Sequence, residues 1–474
     1  MRPVVMKFGG TSVADASAIS RVVRIVSDVA AAGAPVVVVV SAMSGITDEL
    51  LTACEFARKG DIDEVRRRVD VIEARHQGVV DEIFRLKAEA TQILSDPGGF
   101  RLQAEELHRH VTRECDELRS VLTSVAVLRE LTPRGSDRVA AAGELMSSRM
   151  VAAALSAAGT PATWVAATRV LITDDGHPAA LPLVDETRRS ATRELQPVLE
   201  GGDVAVVGGF VGATAEGITT TLGRGGSDLS ASVIGAALHA REIQIWTDVA
   251  GMLTADPRVV EGTEVVPHLS FDEASELAYF GAKVLHPSTI LPAVQDGIPV
   301  RIVNTLRPEL PGSLITRQVP SRERSLTALA CKRNIVVVDV TSTRMLLAHG
   351  FLRRVFEVFE QHATSVDVVT TSEVSVSMTL DDDRRLAAIE RDLRMFAEVQ
   401  VEGGMAIVSA VGDNLRRDPG LAVRLIASLD GLQLRMVSQA ASRRNVTVVL
   451  ADRDVPEAMA RLHQEFFVPA RSVQ

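Results

Sequence analysis

Five consecutive valines, Val36–Val40, constrain what this chain can fold into more than any other feature. The run has no polar alternate positions, so it predicts a strand buried on both faces, as in a parallel sheet covered by helices. Shorter β-rich runs recur at Val4–Phe8, Ala162–Val165, Val204–Val207, Ile243–Trp246 and Val300–Val303, and helical patterns separate most of them. The expected architecture is an α/β sandwich with a mainly parallel sheet. Residues 48–131 break that rhythm. They are charged and helical throughout, with Leu107, Val111, Leu118, Leu122 and Val125 on one helical face. They predict a helical insertion packed on the sheet domain, since the heptads that a coiled-coil partner helix needs are not sustained.

Pro308, Pro311 and Gly312 punctuate the chain after the last of these strands, and Gln318–Arg324 is polar. A first domain over 1–307 and a linker over 308–324 follow. The remainder reads as two similar small units, 325–398 and 399–474, with a period of about 70 residues. In the first, Ile335–Val340 leads to a helix at Gly350–Gln361 and strands at Ser365–Thr370 and Val374–Leu380. In the second, Met405–Val411 leads to a helix at Gly420–Leu429 and strands at Leu434–Ser438 and Val446–Leu450.

Composition excludes several function classes. With 474 residues, 46% hydrophobic and 24% charged, the chain suits a soluble multidomain protein. A net charge of −10 argues against nucleic acid and anionic membranes as partners. Aromatics make up 3%, with Tyr279 the one tyrosine, which disfavours stacking platforms for single strands. Cys54, Cys115 and Cys331 lack metal-ligand spacing and read as small buried residues. The N-terminal apolar run is too short for a secretory segment and is interrupted by Lys7, and no stretch reaches membrane-span length. A cytoplasmic enzyme is expected.

Four motifs carry chemistry. Lys7-Phe8-Gly9-Gly10-Thr11-Ser12 follows a strand and leads into a helix. Glycines there let backbone N–H groups approach phosphate oxygens, and Lys7 adds positive charge; a tight turn with a solvated lysine is the plainer alternative. Leu222-Gly223-Arg224-Gly225-Gly226-Ser227-Asp228 opens a helical run. Arg224 offers a planar fork for a carboxylate. Asp228 suits a magnesium ion or a substrate ammonium, and Ser227 or Asp228 also suits the helix N-cap. Trp246-Thr247-Asp248-Val249, with Asp256-Pro257-Arg258 beyond it, sits at a strand end where open α/β sheets bind ligands. Phe280-Gly281-Ala282-Lys283-Val284-Leu285-His286-Pro287 sets another lysine beside glycine, with His286 read as a capping or packing residue.

Together these motifs, with Ser41-Ala42-Met43-Ser44-Gly45-Ile46-Thr47 and Gly143-Glu144, resemble the aspartokinase family within the amino-acid kinase superfamily, over nearly the whole chain. The resemblance implies ATP-dependent phosphorylation of the L-aspartate side chain to 4-phospho-L-aspartate, the first step of lysine, threonine and methionine biosynthesis, with Mg2+ accompanying ATP. It places Lys7, Gly9, Gly10, Thr247, Asp248, Leu253, Arg258, Lys283 and Val284 around ATP. It places Ser41, Thr47, Glu144, Phe210, Arg224 and Ser227 around aspartate, with Glu144 on the ammonium and Arg224 on the α-carboxylate. Lys7, Arg224 and Asp228 would carry catalysis. Ala250 and Leu253 stand where relatives hold Asp and Tyr, which implies an altered nucleotide fit. A catalytically silent amino-acid sensor of the same fold is the rival reading.

The C-terminal units resemble paired ACT domains, ferredoxin-like βαββαβ modules that bind amino acids, of the lysine-sensitive subgroup. The matching stretches imply a lysine site from Met345, Gly350, Phe351, Leu352, Ser365, Val366, Asp367, Thr371, Ser372 and Glu373. Asp367 and Glu373 supply two carboxylates for the two ammonium groups of lysine, with solvated edge positions as the alternative. Leu347 and Ala348 replace a histidine and a serine common in that subgroup. The resemblance also implies a homodimer or higher homo-oligomer.

Overall fold

The computed structural model describes residues 1–91, 97–281, 285–320, 324–342, 350–413, 415, 418, 420–439 and 443–468. The chain divides into two compact units, Met1–Gly251 with Leu285–Val319, and Met252–Val284 with Pro320–Gln474. The first ten strands are β1 (Val4–Phe8), β2 (Val36–Val40), β3 (Ala162–Val165), β4 (Val204–Gly208), β5 (Val211–Ala213), β6 (Thr219–Thr221), β7 (Glu242–Thr247), β8 (His268–Ser270), β9 (Val300–Asn304) and β10 (Ser313–Thr316). All but β8 belong to the first unit.

The sheet of the first unit runs β3-β4-β2-β1-β7-β9-β10. Every pairing from β3 to β9 is parallel, and β10 closes the edge antiparallel to β9. That strand lies inside the stretch expected to be linker, so 308–324 is partly sheet. The valine run is buried throughout, as its composition demands. Val36, Val38 and Val40 share a core with Val4, Met6 and Phe8, while Val37 and Val39 point to the opposite face. Helix Gly226–Ala237 covers that second face. A Cβ on Gly235 would stand 2.6 Å from Ile243 Cδ1, and Ile243 pairs with Val5 in the sheet.

The insertion exists as helices Ile46–Lys59, Ile62–Thr91 and Pro97–Leu128. Its face of Leu107, Val111, Leu118, Leu122 and Val125 is buried in the same core as the valines. Leu122→Ala should therefore lower stability by about 2–5 kcal/mol, the usual range for a buried leucine. Urea unfolding of the full chain measures it, and a loss under about 1 kcal/mol would detach the insertion from the core. Cys54 and Cys115 are buried there, and burial pushes their thiols up to about 11 and about 12.

The second unit adds β11 (Leu326–Thr341), β12 (Val369–Thr371), β13 (Ser375–Leu380), β14 (Glu398–Gly412), β15 (Leu434–Ser438) and β16 (Asn445–Ala451). They form one sheet in the order β12-β13-β11-β14-β16-β15. Register divides β11 and β14 into halves. Val336–Thr341 pairs with β13 on one side and with Glu398–Glu402 on the other. Leu326–Lys332 pairs with Ile407–Gly412, whose other edge carries β16. With helices Phe351–Gln361 and Leu386–Leu393, the first set is one βαββαβ module; with Leu421–Ser428 and Val455–Phe467, the second set is another.

The second module therefore takes its edge strand from residues that precede the first. This corrects the division at 398/399, because Leu326 and Leu329 are buried with Leu425, Val448 and Leu462. Residues of the segment 252–281, expected in the first domain, also pack here. Leu329 N–H donates to Thr254 O at 2.7 Å, Thr327 donates to Glu273, and Ala255 and Val260 join the same core. No helix among the described residues is long and apolar enough to cross a membrane.

Candidate active site

In the parallel sheet, Phe8 stands beside Val40 and Trp246, and Val40 beside Gly208. The loops that follow β1, β2 and β4 thus leave the same edge, the carboxyl ends of the strands. They line a cavity of about 390 Å3 together with the 223–228 loop and the start of helix Ala142–Ala157. Lys7, Gly10, Ser41, Thr47, Glu144, Phe210, Arg224, Ser227 and Asp228 all face it.

The cavity sets a lysine beside a glycine turn. Lys7 Nζ lies 2.6 Å from Asp228 Oδ1, and both side chains are mostly shielded from water. A Cβ on Gly9 would stand 3.6 Å from that ammonium, and one on Gly10 would stand 2.9 Å from Ala42 O. Glycine at 10 is thus a steric requirement of the turn. Asp228 sits in the first turn of helix Gly226–Ala237, where the helix dipole favours an anion. The N-cap is Gly225 at φ 72°, so neither Ser227 nor Asp228 caps this helix. A Cβ on Gly226 would fall 2.7 Å from the Phe210 ring, so the loop hugs that side chain only because glycine is there.

The same cavity also holds a buried acid and a guanidinium. Glu144 is buried in the first turn of helix Ala142–Ala157, and its Oε2 has no hydrogen-bond partner. Burial pushes its carboxyl up to about 8, against backbone N–H bonds from Ala42 and its own residue that pull the other way. The helix approaches this closely because a Cβ on Gly143 would stand 2.7 Å from Ala42 Cβ. Arg224 is exposed at the rim of the same cavity. An unpaired carboxylate and a guanidinium on one cavity match the ammonium and α-carboxylate of an amino acid.

Other expected contacts are not among the residues that line this cavity. Thr247 ends β7, Asp248 follows it, and Thr247 Oγ1 donates to Asp248 Oδ1 at 3.2 Å, outside the cavity lining. Leu253 and Arg258 belong to the second unit, where Leu253 bridges to Val265 and the Arg258 fork closes on Asp256. Lys283 and Val284 lie outside the described residues. His286 is exposed and bonds Ser288 Oγ at 2.7 Å. Met43, Ser44, Gly45 and Asp48 line the cavity without having been singled out for a role; the glycine of the Ser41–Thr47 stretch, at φ 79°, was their signal.

Among the candidate regulatory residues, Gly350 caps helix Phe351–Gln361 at φ 84°, Phe351 is buried and Leu352 is exposed. Val366 packs on the module core, and Ser365, Thr371, Ser372 and Glu373 are exposed. Ser372 N–H donates to Ser375 O at 2.8 Å, closing the turn over Glu373. Asp367 is not a solvated edge residue. Its side chain is 3% exposed and accepts from Lys332 Nζ and Tyr279 Oη, each at 2.9 Å. Nothing local in the sequence pointed to those two partners. Met345 lies outside the described residues.

The amino acid kinase family model matches residues 2–304, and an ACT domain model matches 408–466. Aspartokinase 3, chloroplastic, of Arabidopsis thaliana is 37% identical over 482 residues, spanning 98% of this chain and 81% of its own. Lysine-sensitive aspartokinase 3 of Escherichia coli (strain K12) is 34% identical over 473 residues, 98% of this chain and 99% of its own. The crystal structure of E. coli aspartokinase III in complex with lysine and aspartate (T-state) superposes with a TM-score of 0.80 at 33% identity, covering 98% and 99% of the two chains. The same enzyme with aspartate and ADP (R-state) superposes with a TM-score of 0.78 at 34% identity, covering 98% and 100%.

Proposed function

The chain belongs to the aspartokinase family, and on that premise we propose that it transfers the γ-phosphate of ATP to the side-chain carboxylate of L-aspartate and is inhibited by lysine. The observation that carries the reading is Glu144. A buried carboxylate whose Oε2 lacks a partner is costly unless a cation meets it, and the substrate ammonium is that cation. With Glu144 on the ammonium and Arg224 on the α-carboxylate, the side-chain carboxylate is left to accept the phosphoryl group, in a cavity that Lys7 also lines.

The nucleophile is already ionised at neutral pH, its ordinary pKa being about 4. No general base is needed. The rate then comes from positioning and from charge stabilisation of the transferring phosphoryl group. Lys7 supplies the charge, the Gly9–Gly10 turn supplies close backbone approach, and Asp228 holds Lys7 in place.

Asp228 would be the protein carboxylate nearest a magnesium ion that accompanies ATP. Among the described residues, no group of three or more His, Cys, Asp or Glu side chains is placed to hold a metal. That donor set fits a cation held chiefly by nucleotide phosphates. When bound, it neutralises phosphate charge. The regulatory modules and the family suit a homodimer or larger assembly working in the cytoplasm. ADP release from ATP, magnesium and aspartate tests the kinase, and no release above a control without aspartate would sink it. Millimolar lysine should lower that rate; an unchanged rate removes the inhibitor and leaves the kinase.

A further inference from the structure

Asp367, which the sequence offers to an ammonium group of the effector, already holds one. Lys332 Nζ lies 2.9 Å from Asp367 Oδ2 and 2.7 Å from Asp381 Oδ2. It also stands 5.2 Å from the centre of the Tyr279 ring, whose hydroxyl donates to Asp367 Oδ1. The Lys332 side chain is 19% exposed. Two carboxylates and an aromatic face are the surroundings a protein builds to recognise a free amine.

From this geometry we infer that Lys332 is a tethered stand-in for the effector's ammonium. Free lysine reaches Asp367 only by displacing it, so Lys332 sets the concentration at which the effector acts. This rests on the lysine-regulation reading above. The backbone gives the tether a defined origin. Lys332 is the last residue of the β11 half that completes the second module, just before the register break at Ile335. Its side chain nevertheless reaches Asp367 and Asp381 of the first module. Displacing it therefore breaks an ion pair that joins the two modules. A built-in competitor lowers apparent affinity by the fraction of time it leaves the site free.

The test uses the full chain with Lys332→Met, which keeps the stem and removes the charge, and Lys332→Arg, which keeps the charge. Lysine affinity is measured by calorimetry, and inhibition of ADP release is read against each variant's own uninhibited rate. Lys332→Met should lower both the dissociation constant and the half-inhibiting lysine concentration about tenfold. Lys332→Arg should leave both near wild type or raise them. Wild type that binds lysine, with Lys332→Met binding it equally or more weakly, overturns the inference and leaves lysine regulation standing. Failure of both proteins to bind lysine overturns the regulatory reading and the inference with it. Should Lys332→Met not fold, Lys332→Gln takes its place and is judged by the same two outcomes.

Discussion

Lys7→Met is expected to lower kcat for aspartate phosphorylation about a hundred- to a thousandfold, the usual loss when a charge aimed at a developing anion is removed. Methionine keeps the volume and loses the charge, so packing against Gly9 persists. The effect has two sources. The phosphoryl group loses its stabilising cation, and Asp228, 2.6 Å away in wild type, is left without its counter-charge near the phosphates. Lys7→Arg should not rescue, because the larger guanidinium must share space with a turn where Gly10 already abuts Ala42 O. Asp228→Asn should fall less far, since Lys7 remains. ADP release at saturating ATP and aspartate measures all three, and a Lys7→Met rate within threefold of wild type would remove Lys7 from the chemistry.

How much of this was legible follows from which interactions are local. Val36–Val40 announced its own environment, because a fully apolar β-branched run has only one comfortable setting, and all five valines are buried. Lys7-x-Gly-Gly and the 223–228 loop were visible because glycine marks places where backbone must come close. The pairings that cross long sequence distances left no local mark. Leu326–Lys332 completes a module whose other strands begin after residue 404, and periodicity cannot report a partner. The segment 252–281 reads like its neighbours yet is held by Thr254, Glu273 and Ala255 to residues beyond 320. Asp367 was identified by family pattern as a carboxylate for an ammonium group of the effector. The structure gives it Lys332 from β11, a contact between residues 35 positions apart. Glu144 was legible as a candidate, but its unpaired, buried state was not, since burial belongs to the packed whole.

That buried state gives Glu144 a pH signature that no surface carboxylate would have. Its folded pKa is raised to about 8, well above the ordinary glutamate value, because burial penalises the charged form. The ligand-free fold therefore binds more protons than the unfolded chain between the ordinary value and about 8. Stability from this group is present at low pH and declines as pH rises through that window. Aspartate reverses the preference, since its ammonium needs the ionised carboxylate. In wild type the KM for aspartate should fall by up to about tenfold per unit as pH rises toward 8, then level off. Glu144→Gln should raise that KM about a hundredfold, the scale of removing one partner from a buried charge pair. It should leave kcat nearly unchanged, because the ammonium contact is made equally in ground and transition states. The variant should also lose this part of the pH dependence, having no proton to release. Initial rates across aspartate concentrations at pH 6.5, 7.5 and 8.5 decide it. Parallel pH profiles in wild type and Glu144→Gln would show that the substrate ammonium binds elsewhere.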